Sequence, residues 1–191
     1  YQPTDFNTVV DVFGGGGSVF LDYCKTYPNK KIIYNDFDKA LYEIFYTVAI
    51  GNATHMNNEI TTMFNPNTVK EDRKQLISKI ENGEEEKTGV NFLFLLQTSA
   101  RGLWNTTTFI LLHKKNGCPV LRKTKIEQFS NIVNEPENIH NNDYITEMNM
   151  YKDDKNAFLY LDPPYNSKNV SVNTYKKMTG NKYHNFLIFI E

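Results

Sequence analysis

The chain has 191 residues, 40% apolar and 14% aromatic, with a formal charge of −1. That is enough apolar material for one packed domain, so global disorder is excluded, and no apolar run nears the roughly 18–20 residues of a membrane-spanning helix. Near-neutral charge means that any nucleic-acid contact must come from a local basic patch, and Cys24 and Cys118 form neither a disulfide framework nor a zinc spacing.

Thr8-Val9-Val10-Asp11-Val12-Phe13 is a β-branched and aromatic run that stops at Gly14-Gly15-Gly16-Gly17, and an apolar stretch over 18–27 follows. The pattern predicts strand, glycine turn and helix. Lys31-Ile32-Ile33-Tyr34-Asn35 predicts a second strand closing on Asp36. Asp38 can cap a helix whose Leu41, Ile44, Phe45 and Val48 share one face. Residues 51–67, rich in Asn, Thr and Gly, read as a loop. A charged helix is predicted from about Val69 to Ile80, then a solvated acidic break at 81–87, then a helix from Phe92 to about Arg101-Gly102. Two apolar runs around Lys114-Lys115-Asn116-Gly117 predict a hairpin over 109–120, with Asn-Gly as its turn. A short helix near 125–133 precedes Ala157-Phe158-Leu159-Tyr160-Leu161, a buried type of strand that runs into Asp162-Pro163-Pro164-Tyr165. Strands alternating with helices predict an α/β fold with a mostly parallel sheet. His55, His113, His140 and His184 are scattered and read as loop or surface residues.

Two segments carry chemistry. Glycines between a strand end and a helix start let backbone approach a ligand closely, as nucleotide-type cofactors require. Asp36 follows Gly17 by 19 residues, the spacing at which an acid meets ribose hydroxyls. The dinucleotide fingerprint itself fails, because Val19 or Phe20 stands in the place of its third glycine, and no Gly-Lys-Ser/Thr follows to make a phosphate loop. Asp162-Pro163-Pro164-Tyr165 would sit at the carboxyl end of the sheet. The prolines stiffen the backbone and remove its donors, leaving carbonyls and the Asp162 carboxylate as acceptors. An exocyclic amine could give one N–H bond to Asp162 and one to the Pro163 carbonyl while its ring stacks on Tyr165.

The order of Asp11-Val12-Phe13-Gly14-Gly15-Gly16-Gly17-Ser18-Val19-Phe20-Leu21 and Leu161-Asp162-Pro163-Pro164-Tyr165 resembles the Dam-type DNA adenine-N6 methyltransferases, in their α arrangement. The resemblance implies S-adenosylmethionine as methyl donor, no metal, and double-stranded DNA as partner. It also implies a Rossmann-like methyltransferase sheet with a small helical and hairpin recognition insertion. The catalytic core would then be 1–50 with 140–191, and the insertion 51–139. It implies that Asp11 belongs to the cofactor site, that Phe13, Gly15 and Gly17 line the methionine part of the cofactor, that Asp36 holds the ribose hydroxyls, and that Phe37 lies beside the cofactor adenine. Glu147-Met148 stands roughly where the family has an acid followed by an aromatic near that adenine. Asp162, Pro163, Pro164 and Tyr165 would hold the flipped target base, and Tyr175 resembles the aromatic that closes over it.

Relatives carry Arg-x-x-x-Asn-Gly-Leu-x-Arg before the hairpin. Here Gln97 and Asn105 replace the arginines and Arg101 takes the asparagine position, so phosphate contacts are expected from Arg101, Lys114, Lys115, Arg122, Lys123 and Lys125. Segments that relatives place before the first strand and after the catalytic motif have no room here. The sheet is therefore expected to be incomplete, with an excerpted chain or a partner chain supplying the rest. The competing readings are cytosine-N4 methylation, which uses similar loops, and a non-catalytic nucleic-acid-binding or structural remnant. Asn occurs 24 times and Lys outnumbers Arg 18 to 3, which favours A/T-rich codons. The expected setting is the cytoplasm of a bacterium, or the replication compartment of a phage or virus, including restriction-modification systems.

Overall fold

The computed structural model describes residues 6–99 and 126–163, and by backbone alone 114–115 and 118–119. β1 (Thr8–Asp11), α1 (Ser18–Thr26) and β2 (Lys31–Asn35) come first. Four helices follow, α2 (Lys39–Ala49), α3 (Ala53–Met63), α4 (Val69–Glu81) and α5 (Gly89–Gln97). The two-residue strands β3 (Lys114–Lys115) and β4 (Cys118–Pro119) precede β5 (Ile139–His140), α6 (Tyr144–Tyr151) and β6 (Ala157–Tyr160). These elements fall into two compact units, Tyr1–Asp38 with Glu137–Glu191, and Lys39–Pro136.

The first unit is built on a parallel sheet of strand order β5-β2-β1-β6. The alternation of side chains along each strand sorts its residues between two covering helices. Tyr34 and Phe158 point to α1, where Phe20 meets Tyr34 edge-on at 5.5 Å and Tyr23 lies 6.3 Å from Phe158. Val10, Val12 and Ile33 point the other way and pack with Tyr144 and Met148 of α6, joined by Leu159 and Leu161. Val9 and Val10 are both fully buried, which explains why β1 reads as a continuous apolar run rather than an alternating one. Burying each such side chain contributes about 1.5–3 kcal/mol.

The chain steps outward from β1 to β2 to β5, then returns to the far side of β1 to form β6. A reversal of this kind opens a crevice beyond the carboxyl ends of the two strands it separates, here β1 and β6. This is the sheet and class that the alternating pattern predicts.

The second unit has its own core of Ala40, Leu41, Ile44, Met56, Ile60, Val69, Ile77 and the buried run Phe92-Phe94 with Leu93 and Leu95. Thr88 caps α5, its side chain accepting from the Asn91 N–H at 3.2 Å. The Gly89 N–H donates to the Glu43 carboxylate at 2.6 Å, a negative charge at a helix N-terminus. At the other end the buried Arg73 guanidinium donates to the Leu95 carbonyl and to Thr98 Oγ1, a cation against the C-terminal carbonyls. Burial brings Arg73 down to about 10.

Several elements differ from the sequence reading. Residues 53–63, expected in a loop, form α3, because Ala53, Met56 and Ile60 recur at helical spacing under an Asn/Thr-rich surface. α5 starts at Gly89 rather than Phe92 and ends at Gln97. The helix expected near 125–133 is a 3₁₀ turn at Ile126–Phe129. β3 and β4 pair antiparallel, Lys115 opposite Cys118, as the Asn-Gly hairpin requires. β5 and α6 form where no element was expected.

Candidate active site

The parallel register brings three loop starts to one edge. Asp11 lies beside Tyr34 on one side and Tyr160 on the other, so the glycine loop after β1, Asp36 after β2 and Asp162 after β6 all leave the same end of the sheet.

The glycine loop is held by its neighbour strand. Gly14 N–H donates to the Asn35 carbonyl at 2.8 Å, and the Tyr34 hydroxyl donates to the Gly15 carbonyl at 2.8 Å. A Cβ on Gly14 would stand 2.3 Å from the Tyr34 ring. Tyr34 has no exposed surface and is tied at its hydroxyl, so the ring cannot yield cheaply. Gly14→Ala is therefore expected to destabilise the fold by about 1–3 kcal/mol through overpacking. Urea unfolding would show this as a lower midpoint, and an unshifted midpoint would mean that ring and loop separate freely. Gly17 precedes α1 in the left-handed region at φ 73°, where a side chain would be strained.

Asp36 is buried. Its Oδ2 accepts from Gly15 N–H at 2.8 Å and its Oδ1 from Asp38 N–H at 2.7 Å, which ties the carboxylate back to the glycine loop, one helix and one strand earlier in sequence. The adjacent Phe37 is a large apolar side chain that is 50% exposed. Asp11 is almost fully buried. Its Oδ2 accepts from the Phe20 N–H in the first turn of α1 at 3.2 Å, and its Oδ1 has no hydrogen-bond partner among the described residues. Burial, with the charges of Asp36 and Asp162 adding to it, pushes Asp11 up to about 7 against the lowering effect of the Phe20 N–H. Phe13 leaves β1 toward α6 and stacks on Tyr144 at 5.7 Å and 29°.

At the end of β6 the Asp162 side chain is exposed and Pro163 half-buried. Pro164, Tyr165, Tyr175, Arg101, Arg122, Lys123 and Lys125 lie outside the described residues, and Lys114 and Lys115 are described by backbone only. Asp11, Phe13, Gly15, Gly17, Asp36, Phe37 and Asp162 are thus all gathered at the carboxyl edge of one sheet.

Glu147 lies in the first turns of α6 with no exposed surface. Its Oε1 faces His140 Nδ1 at 2.8 Å and its Oε2 accepts from Asn142 Nδ2 at 2.8 Å. His140, expected to be a loop or surface residue, sits on β5 with a side chain 16% exposed. The Glu147 bond raises its pKa above the ordinary imidazole value, against burial. The sequence reading also passed over Asp143-Tyr144, an acid followed by an aromatic four residues before Glu147. Asp143 caps α6, accepting from Ile145 N–H and Thr146 N–H, and Tyr144 is the ring against Phe13. The order of residue types was the available signal.

A buried carboxylate oxygen without a partner, a second carboxylate at the neighbouring strand end and an exposed aromatic ring suit a cationic ligand that also carries hydroxyls and a flat base. Among the described residues, no group of three or more His, Cys, Asp or Glu could hold a metal ion, and no helix is long and apolar enough to cross a membrane. A family model for the D12 class N6 adenine-specific DNA methyltransferases matches residues 2–187. A search of curated proteins found no match.

Proposed function

The chain belongs to the D12 class N6 adenine-specific DNA methyltransferases, S-adenosylmethionine-dependent enzymes acting on DNA, and on that premise we propose how its residues divide the work. Asp11, Phe13, Gly15 and Gly17 surround the methionine end of the cofactor, Asp36 takes the ribose hydroxyls, and Phe37 covers the cofactor adenine. Asp162 and Pro163, with Pro164 and Tyr165, hold a target adenine flipped from double-stranded DNA. The observation that supports this most is the shared edge, since the β1/β6 reversal puts the Asp162 loop next to the glycine loop.

When bound, S-adenosylmethionine supplies an activated methyl group on a positively charged sulfur. The chain's own task is alignment and charge. Asp162 and the Pro163 carbonyl each accept a hydrogen bond from one N6–H, which would draw the nitrogen lone pair out of conjugation and toward the methyl group. The same two acceptors stabilise the positive charge that grows on nitrogen. No side chain forms a bond to the methyl group. The basic residues of the insertion, Arg101, Lys114, Lys115, Arg122 and Lys123, carry phosphate contacts, and Tyr175 closes over the base.

Methylation of duplex DNA with labelled S-adenosylmethionine, followed by mass spectrometry of the nucleosides, tests the assignment. N6-methyldeoxyadenosine is the expected product. N4-methyldeoxycytidine would overturn the target, and no transfer by a chain that binds cofactor and DNA would overturn the catalytic role of the loop.

A further inference from the structure

The ends of β1, β2 and β5 at this edge are laced to a buried acid that touches none of the reacting groups. Glu147 holds His140 and the Asn142 side chain, one with each oxygen. The Asn142 backbone is locked in turn by Asn35, whose Oδ1 accepts from Asn142 N–H at 2.8 Å and whose Nδ2 donates to the Asn142 carbonyl at 3.1 Å. The same Nδ2 donates to the Val12 carbonyl at 3.0 Å, where β1 turns into the glycine loop. Beside it Asn141 Nδ2 donates to the Asp36 carbonyl at 2.7 Å. The lattice therefore ends on the backbone of both elements assigned above to the cofactor.

We propose that Glu147 is a positioning residue for the methyl-donor site, acting through His140, Asn142 and Asn35 on the backbone that carries Asp36 and the glycine loop. This rests on the assignment of Asp36 to the cofactor. Burial of Glu147 to zero exposure removes it from direct contact with ligand, and its two oxygens are occupied by the groups it positions.

The state of the pair follows from its partners. His140 faces an acceptor at both nitrogens, Glu147 at Nδ1 and the Glu137 carbonyl at Nε2, 3.1 Å away, so the doubly protonated imidazolium satisfies both. Lys31 on β2 opposes that proton, and Tyr151 on α6 also feels the Glu147 charge. His140 has a raised folded-state pKa, so its support is complete below the unfolded value and is lost as pH rises through the folded one. Once neutral with its proton on Nε2, His140 turns a bare Nδ1 lone pair on a buried carboxylate. Cofactor affinity then falls on the alkaline side.

The test measures S-adenosylmethionine binding by calorimetry and steady-state kinetics on the full chain, from about pH 6 to about pH 9. Glu147→Ala is expected to raise KM for S-adenosylmethionine roughly tenfold with kcat changed less than about threefold, since buried donors lose their acceptor on the cofactor side only. Glu147→Gln is expected to bind within about threefold of the parent, because its amide can donate to Nδ1 of neutral His140 and accept from Asn142, and to lose the alkaline fall. A folded Glu147→Ala with parental KM overturns the proposal. If that variant does not fold, an alkaline fall retained in Glu147→Gln overturns it instead. Asp36→Ala separates the two levels: parental affinity there removes the cofactor assignment itself, whereas weak binding there with normal Glu147 variants removes only the positioning role.

Discussion

Asp162→Ala is expected to slow methyl transfer by roughly 10²–10³-fold while S-adenosylmethionine still binds, the loss typical of removing one preorganised group from a developing charge. The side chain is exposed at the end of β6, so its removal opens no cavity, and thermal stability should stay within about 0.5 kcal/mol. That makes the kinetic loss readable as chemistry rather than folding. The Pro163 carbonyl remains as the second acceptor, which is why the loss is large but finite. Asp162→Asn, which keeps an acceptor oxygen and discards the charge, should fall between parent and alanine. Single-turnover methylation on a DNA duplex, with cofactor affinity measured separately, checks both. Near-parental turnover in Asp162→Ala would remove the loop from the reaction. Asp36→Ala is expected to show the converse, with weakened cofactor binding and little change in the rate once cofactor is saturating.

The site was legible where its residues are consecutive and their types unusual. A glycine run after a β-branched strand, an acid at the end of the next strand and Asp162-Pro163 after an apolar run each declare a strand end, and parallel pairing then brings them together. What the sequence concealed depends on partners far along the chain. Asn35 reads as the polar end of a strand, yet it is 1% exposed, and its bonds run to Val12 and to Asn142, 107 residues away. β5 is only two residues long, too short for any periodicity, and it exists because Tyr34 and Asn35 offer it a register. α3 was hidden for another reason. Its exposed positions carry Asn and Thr, residues that favour turns, and three buried side chains under them decide the outcome.

Asp11→Asn is expected to make the protein more stable and bind S-adenosylmethionine more weakly, two effects of opposite sign that a packing defect does not produce together. Asp11 is 2% exposed, with one oxygen unpartnered, and burial pushes it up to about 7 from an unfolded value near 3.8. The folded chain therefore holds a proton that the unfolded chain has released. For this group stability is fullest below the unfolded value, declines as pH rises toward 7, and stays low above it. A shift of that size corresponds to at most about 4 kcal/mol at pH 8. The amide keeps the Phe20 bond but leaves an NH₂ where Oδ1 lacked a partner, a cost of about 1–3 kcal/mol. The net gain should be about 1–3 kcal/mol at pH 8, and none near pH 4, where the parent is already neutral. Binding runs the other way. A cationic ligand favours ionised Asp11, so Asp11 gives parental affinity a limb that rises as pH passes about 7, where it loses its proton, and His140 gives it an opposing limb that falls as the imidazolium loses its own. Asp11→Asn removes the rising limb and Glu147→Gln the falling one. Denaturation at pH 4 and pH 8, with cofactor titrations across the same range, measures each. A variant that binds S-adenosylmethionine as the parent does at pH 8 would show that the Asp11 charge is not used by the cofactor.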